Sequence, residues 1–196
     1  MSPRTRDQID EIRKQSSASI QSAALKLFAR QGFHNTSISE IAREASVSKG
    51  LIYNYFDSKE ALLKSIIESA MDVGNQLIGR HLDASQDPMK SLAEMLDEAF
   101  DMVEENPKYW KLMMSLSFHQ DVMARFKDEI DQQQIKNIGL ITGLLERANV
   151  EEPEKEAMLI AAMSDGILLH FIHIGPQYPL SEMRAYIKER MGMNRI

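Results

Sequence analysis

Two short apolar stripes lie side by side in this chain. Ile38, Ile41, Ala42 and Ala45 form the first, and Ile52 and Phe56 belong to the second. Both repeat at three- and four-residue spacing, the period of a helix with one buried face. Only two or three residues, around Ser46 and Val47, separate them. A link that short cannot lay two helices antiparallel. It forces a steep crossing, as in a helix-turn-helix, and so sets what the N-terminal part can become.

Helical periodicity extends in both directions, and nothing reads as a strand ladder. A first helix is expected from about Ser16 to Gln31, with Ile20, Ala24, Leu27 and Phe28 inward. Gly32 suits the left-handed position after it, and Phe33 supplies the apolar residue that follows. Ser37 and Glu40 have the spacing of a capping box at the start of the second helix, Ile38 to about Ala45. The third runs from near Ser48 to Tyr55 or Phe56. Asp57 or Ser58 caps a long fourth helix that reaches about Leu82. Further helices are expected over Pro88–Glu105, Tyr109–Val122, Met123–Ala148, Pro153–Ile174 and after Ser181. The fold class is therefore all-α.

Charge divides the chain unevenly. Residues 1–64 carry ten Lys and Arg against seven Asp and Glu, whereas the remainder carries 13 against 22, for a net charge of −6. The N-terminal part is suited to meeting an anion and the rest is not. Its third helix turns Lys49, Gly50, Tyr53 and Asn54 outward, beside Ser48. Tyr55, Lys59, Thr36 and Ser37 are near. Lysine, tyrosine and hydroxyl groups are the usual phosphate contacts, and a glycine lets another backbone come close. Taken singly, Tyr53 and Tyr55 read as half-buried core residues, Lys49 and Lys59 as solvated charges, and Thr36 and Ser37 as caps. Their clustering on one helix-turn-helix points to duplex DNA. Arg4, Arg6, Arg13 and Lys14 are expected as a solvated terminus, with a DNA-binding arm as the alternative.

With these residues in view, "ALKLFARQGFHNTSISEIAREASVSKGLIYNYFDSKEALL" resembles the TetR (tetracycline-repressor-like) family of bacterial transcriptional regulators. The resemblance covers about Ser19 to Leu63. It implies a helix-turn-helix DNA-binding domain over residues 1–64 and a helical ligand-binding and dimerisation domain over 65–196. It further implies a homodimer on a double-stranded operator, released by a small-molecule effector. By position, Lys49 and Gly50 resemble base-proximal contacts, and Thr36, Ser37, Tyr53, Tyr55 and Lys59 resemble phosphate contacts. Two positions depart from the family pattern. Ser46 stands where glycine is common, and a left-handed serine would cost roughly 1 kcal/mol. Asn54 stands where an aromatic is common, and it can pair with adenine or meet a phosphate.

Pro153–Ile174 is apolar nearly all round, so it needs cover on both sides. A membrane span is disfavoured by Asp165 near its middle, which would cost roughly 2.5–3.5 kcal/mol there. A twofold partner is the expected cover. Ala161, Ser164, Asp165 and Leu168, with Tyr186 and Ile187 of the last helix, are the expected dimer contacts; a purely intramolecular core is the alternative. Thirteen methionines and several aromatics provide adaptable apolar packing. Either they form ordinary core, or Phe100, Trp110, Met114, Phe118 and Phe171 line a pocket for a mainly apolar ligand. His170 and His173, three apart, read as hydrogen-bonded histidines rather than metal ligands. With no cysteine, no nucleophile–base motif and no glycine-rich phosphate loop, neither an enzyme nor a cofactor is expected. A cytoplasmic protein is. A helical adaptor without DNA binding and a small helical enzyme are the competing readings.

Overall fold

The computed structural model describes residues 6–82 and 86–193. The described residues form ten helices: α1 (Arg6–Gln31), α2 (Ile38–Glu44), α3 (Lys49–Tyr53), α4 (Lys59–Arg80), α5 (Pro88–Glu105), α6 (Pro107–Ser117), α7 (Gln120–Arg125), α8 (Lys127–Arg147), α9 (Pro153–Ile174) and α10 (Leu180–Arg190). They group into two compact units. One holds the chain up to Ala70 together with Leu112–Phe126. The other holds Met71–Lys111 and the chain from Lys127 onward. A single boundary after residue 64 does not describe this grouping, because Leu112–Phe126 falls with the N-terminal residues.

In the first unit Ile20, Ala24, Leu27 and Phe28 of α1 are buried with Ile41 and Ala42 of α2, Ile52 of α3, and Leu62, Leu63 and Ile66 of α4. Gly32 takes φ +84° and donates its N–H to the Phe28 carbonyl at 2.9 Å, closing α1. Phe33 then folds back under the core, 5.2 Å from the Phe28 ring. The α6–α7 segment is tied in by the Ser115 hydroxyl, which donates to the Ala29 carbonyl at 3.1 Å.

Two expectations need correction here. α1 begins at Arg6, ten residues before the expected start, so Arg6, Arg13 and Lys14 are helical and not a loose terminus. Residues 8–15 contain no Gly or Pro and are mostly good helix formers, and Gln15 donates to Glu11 one turn back at 3.1 Å. Arg4 lies outside the described residues. The single helix expected over Tyr109–Val122 is two, α6 and α7, broken after Ser117.

The second unit is built on α5. Leu92, Met95, Leu96, Phe100 and Val103 line one face, and all are buried. Asp87 caps the helix by accepting from the Lys90 N–H at 2.8 Å, with Pro88 at its first turn. One end of the stripe packs with Ile141, Leu144, Leu145 and Ile160. The other packs with Ile167, Phe171, Leu180 and Ile187. Polar bonds fix the register. Lys188 donates to both Asp97 carboxylate oxygens at 2.8 Å. Arg184 pairs with Asp101 and lies 5.6 Å from the Phe100 ring centre. Asn75 and Gln133 exchange amide hydrogen bonds of 3.2 and 2.6 Å. By length and composition α9 could cross a membrane. Its Ala157, Ile160, Ile167 and Phe171 are instead buried in the protein.

Candidate nucleic-acid interface

The turn between α2 and α3 has defined chemistry. Ser46 takes φ +56°. Its N–H donates to the Arg43 carbonyl at 3.2 Å, and that of Val47 donates to the Ala42 carbonyl at 2.9 Å. These are the two bonds of a Schellman motif, with serine where glycine is usual. The left-handed residue the sequence pointed to is present. Ser48 then caps α3, its Oγ accepting from the Leu51 N–H at 3.1 Å.

This cap and the burial of Ile52 and Phe56 fix the roll of α3. Ser48, Lys49, Gly50, Tyr53 and Asn54 are consequently exposed. A Cβ added at Gly50 would meet only the Ser48 hydroxyl, at 4.0 Å, so the fold itself does not require glycine there. Lys49 makes no ion pair among the described residues. Tyr55 is half-buried, 6.3 Å from the Phe56 ring.

A cleft of about 550 Å³ opens beside α3. It brings together Thr36, Ser37, Lys49, Tyr53 and Lys59 from the expected set, with Ser58. Asp57 and Glu60 add negative charge to its lining. Ser37 is engaged in the capping box: its N–H donates to Glu40 Oε2 at 2.8 Å, and its Oγ accepts from the Glu40 N–H at 3.2 Å. The Ser37 N–H foremost, and then the Ser37 hydroxyl, which donates to the same Oε2 at 2.7 Å, hold the Glu40 carboxyl below its ordinary range.

Two further members of the set are committed within the protein. Thr36 is only 1% exposed, and its hydroxyl donates to the Gly32 carbonyl at 2.8 Å. Lys59 Nζ donates to the Phe33 and Thr36 carbonyls at 2.7 and 2.8 Å. They build the wall of the cleft. Arg125, which sequence inspection did not single out, reaches the same place. Its guanidinium lies 5.0 Å from the Phe33 ring centre and its Nη1 is 3.9 Å from Glu60. No local pattern links α7 to the start of α4, so nothing in the sequence marks it.

In the second unit the expected contacts separate. Ala161 and Asp165 line a cleft of about 660 Å³ between α8 and α9, with Ile135, Gly139 and Met158. Ile135 is 73% exposed and Met158 55%, and Tyr186 is exposed on α10. The Asp165 side chain is accessible, yet the surrounding protein desolvates its carboxyl and raises its pKa. Ser164 is half-buried, and its Oγ has no hydrogen-bond partner among the described residues. Leu168 packs on the core cluster, and Ile187, 2% exposed, lies within it. The five expected pocket residues also divide. Phe100, Phe171 and Trp110 share that cluster, and the Trp110 indole donates to the Met102 carbonyl at 3.0 Å. Met114 and Phe118 fall in the first unit, where Phe118 is 72% exposed.

Comparison with known proteins places this geometry. Residues 20–66 match the family described as bacterial regulatory proteins, tetR family, a span that contains the whole helix-turn-helix. The transcriptional regulator HbdR of Aromatoleum sp. (strain CIB) is 44% identical over 71 residues, 36% of this chain and 31% of HbdR. The transcriptional regulator BetI of Stenotrophomonas maltophilia is 27% identical over 161 residues, 78% of this chain and 79% of BetI. Among solved structures, a TetR-like transcriptional regulator from Rhodococcus sp. RHA1 aligns with a TM-score of 0.74 at 21% identity, covering 90% of this chain and 93% of that one. NalD of Pseudomonas aeruginosa, the secondary repressor of the MexAB-OprM multidrug efflux pump, aligns at 0.73 and 20%, covering 91% and 96%. The relatives are named as transcriptional regulators, and the solved structures share the fold. The N-terminal helix-turn-helix thus belongs to the tetR family of bacterial regulatory proteins.

Proposed function

We propose that this protein is a cytoplasmic repressor that binds a double-stranded operator as a homodimer and leaves it when a small, mainly apolar effector binds. One observation carries the DNA-binding part: α3 buries Ile52 and turns Lys49, Gly50, Tyr53 and Asn54 to solvent. A recognition helix lies in the major groove, where Lys49 can donate to guanine and Asn54 to adenine or a phosphate. Gly50 lets the α3 backbone approach the duplex. Ser37, Ser48, Tyr53 and Tyr55 supply phosphate contacts. Thr36 and Lys59 support them by holding the loop between α1 and α2 against the start of α4.

Repression is supported by NicS of Pseudomonas putida, named a transcriptional repressor, which is 28% identical over 125 residues, 63% of this chain and 58% of NicS. Dimerisation is supported by the uncovered apolar side chains on α8 and α9, since a soluble protein gains by burying such a patch. The contact then runs through Ile135, Gly139, Met158, Ala161 and Asp165, with Tyr186 at its edge. For the effector, the support is the aromatic and methionine packing about Phe100, Trp110 and Phe171, which is adaptable enough to open around an apolar molecule.

Selection of bound duplexes from a random pool tests the DNA-binding part. A recovered operator with two related half-sites about one helical turn apart, or a multiple of that, is expected. Recovery of no enriched sequence would remove the proposal. Release of that operator by hydrophobic compounds, read by fluorescence anisotropy, tests the effector part separately.

A further inference from the structure

We propose that Arg13 is a phosphate contact on the side of the recognition helix away from the cleft, and that Tyr55 holds it in place. This rests on the DNA-binding reading given above.

The packed core of α1 begins at Ile20, while the helix begins at Arg6. From residue 10 to residue 15 every side chain is exposed, Ile12 included. This part of α1 therefore has little fold-stabilising work to do in the isolated chain. Arg13 nevertheless has a definite position: its guanidinium carbon is 5.9 Å from the centre of the Tyr55 ring. Asp10, three residues earlier, forms no ion pair with it among the described residues, and Glu11 is taken by Gln15. The guanidinium meets the ring, and no hydrogen bond or ion pair among the described residues takes up its N–H groups. A cation held in this way is already oriented for an oxygen ligand.

Placement is the second part. The cleft beside α3 includes His34 to Ser37, just past the end of α1 at Gln31. Arg13 lies 18 residues before Gln31, about 27 Å along the helix axis at 1.5 Å per residue. Lys49 and Tyr53 line the cleft, whereas Tyr55 meets Arg13. Groups able to bind anions thus stand at two separated places about α3. A helix in the major groove, about 12 Å wide, has a sugar–phosphate chain on each side. The cleft answers one chain and Arg13 the other. Two flanking contacts fix the angle at which α3 enters, which one alone cannot do.

The test needs no operator, because a phosphate contact is independent of sequence. Binding of a random-sequence duplex of about 30 base pairs is measured by fluorescence anisotropy between about 50 and 200 mM salt. Wild type is compared with R13Q, R13K and K49A, and melting temperatures are recorded. R13Q is expected to bind roughly tenfold more weakly, with the slope of log affinity against log salt reduced in magnitude by about 0.9 for each bound subunit. R13K should regain the slope. An R13Q protein with wild-type affinity and slope overturns the inference while K49A still reports on the DNA-binding reading. An effect confined to folding would lower affinity equally at every salt concentration and leave the slope unchanged, and that result also overturns it. A wild-type protein that binds no duplex under any of these conditions removes the DNA-binding reading and this inference together.

Discussion

Lys59 and Phe33 meet twice: the Lys59 ammonium donates to the Phe33 carbonyl at 2.7 Å and lies 4.3 Å from the centre of the Phe33 ring. With the bond to the Thr36 carbonyl, a lysine at the start of α4 satisfies two acceptors in the loop that leads into α2. Replacing it by methionine keeps most of the stem, leaves the partly buried Thr36 carbonyl without its donor, and leaves the Phe33 carbonyl with only the Thr36 N–H at 3.3 Å. Lys59→Met is expected to destabilise the protein by about 1–3 kcal/mol, read as a lower urea midpoint. DNA binding should weaken with it, since the loop carries Ser37. An unchanged midpoint would show that water replaces the ammonium without loss.

Ser46 makes the opposite case. At φ +56° a serine sits where its Cβ is crowded, and glycine would not be. The Schellman bonds use only backbone, so Ser46→Gly leaves them intact. The greater freedom of glycine in the unfolded chain offsets part of the gain. A net stabilisation of about 0.5 kcal/mol is expected, seen as a small rise in melting temperature. A fall would mean that the serine hydroxyl supports the turn in a way its backbone bonds do not reveal.

Acid should weaken the protein through identifiable carboxylates. Glu40 is held below its ordinary value of 4.5, first by the Ser37 N–H and then by the Ser37 hydroxyl. Glu98 is held below it too, first by His81 and then by Arg80. In the unfolded chain these partners are gone and both pKa values return to about 4.5. Their contribution is therefore complete above that pH and is lost as pH falls through the lower folded values. Urea midpoints for wild type should hold between pH 7 and about pH 5.5 as far as these two groups are concerned, then drop towards pH 3. The Glu40→Gln and Glu98→Gln proteins start lower and drop less. Parallel curves for all three would assign the acid sensitivity elsewhere.

Lys49 and Gly50 allow function to be separated from stability. Gly50→Ala adds a methyl group with open space around it, in a helix where alanine is favoured over glycine by about 1 kcal/mol. Melting temperature should stay level or rise. If the α3 backbone lies close to the duplex, operator affinity falls tenfold or more, an effect of about 1.4 kcal/mol or above. Lys49→Ala should likewise spare the fold and reduce binding. Wild-type affinity in Gly50→Ala would place the α3 backbone away from the DNA.

Most of the helical framework could be read from periodicity and caps alone. Ser37 with Glu40 and Gly32 with Phe33 are local signals, complete within a few residues, and the helices they mark are present. What was not legible is tertiary. Thr36 and Lys59 look like phosphate ligands by residue type, and only the packing of the Phe33 loop shows that their polar atoms are already bonded. Ser115 and Ala29 are 86 residues apart, so no window of sequence groups Leu112–Phe126 with α1. The extension of α1 was missed for a different reason: before Ile20 it has no apolar stripe, and the sequence pattern that reveals helices is the pattern of their burial. Ile187 shows the limit from the other side. An apolar residue on an amphipathic helix meets either its own core or a partner's, and the sequence does not distinguish them.

The proposed dimer contact can be tested at Met158. It is 55% exposed on α9, beside Ile135 of α8 and within a cleft that also holds Glu154 and Asp165. Glutamate is accommodated at so open a position in the single chain, so Met158→Glu should keep the far-ultraviolet spectrum and the melting behaviour of the subunit. In a twofold contact the change occurs twice. Each copy loses the burial of a methionine, roughly 2 kcal/mol, and brings a carboxylate towards others already in the cleft. Sedimentation velocity should show wild type as a dimer and Met158→Glu shifted to monomer at the same concentration. If the proposed dimer places two recognition helices on one duplex, operator binding should weaken in parallel, although Met158 lies in the other compact unit from α3. A Met158→Glu protein that remains dimeric would place the contact on another face, and the exposed apolar side chains of α8 and α9 would then need a different partner.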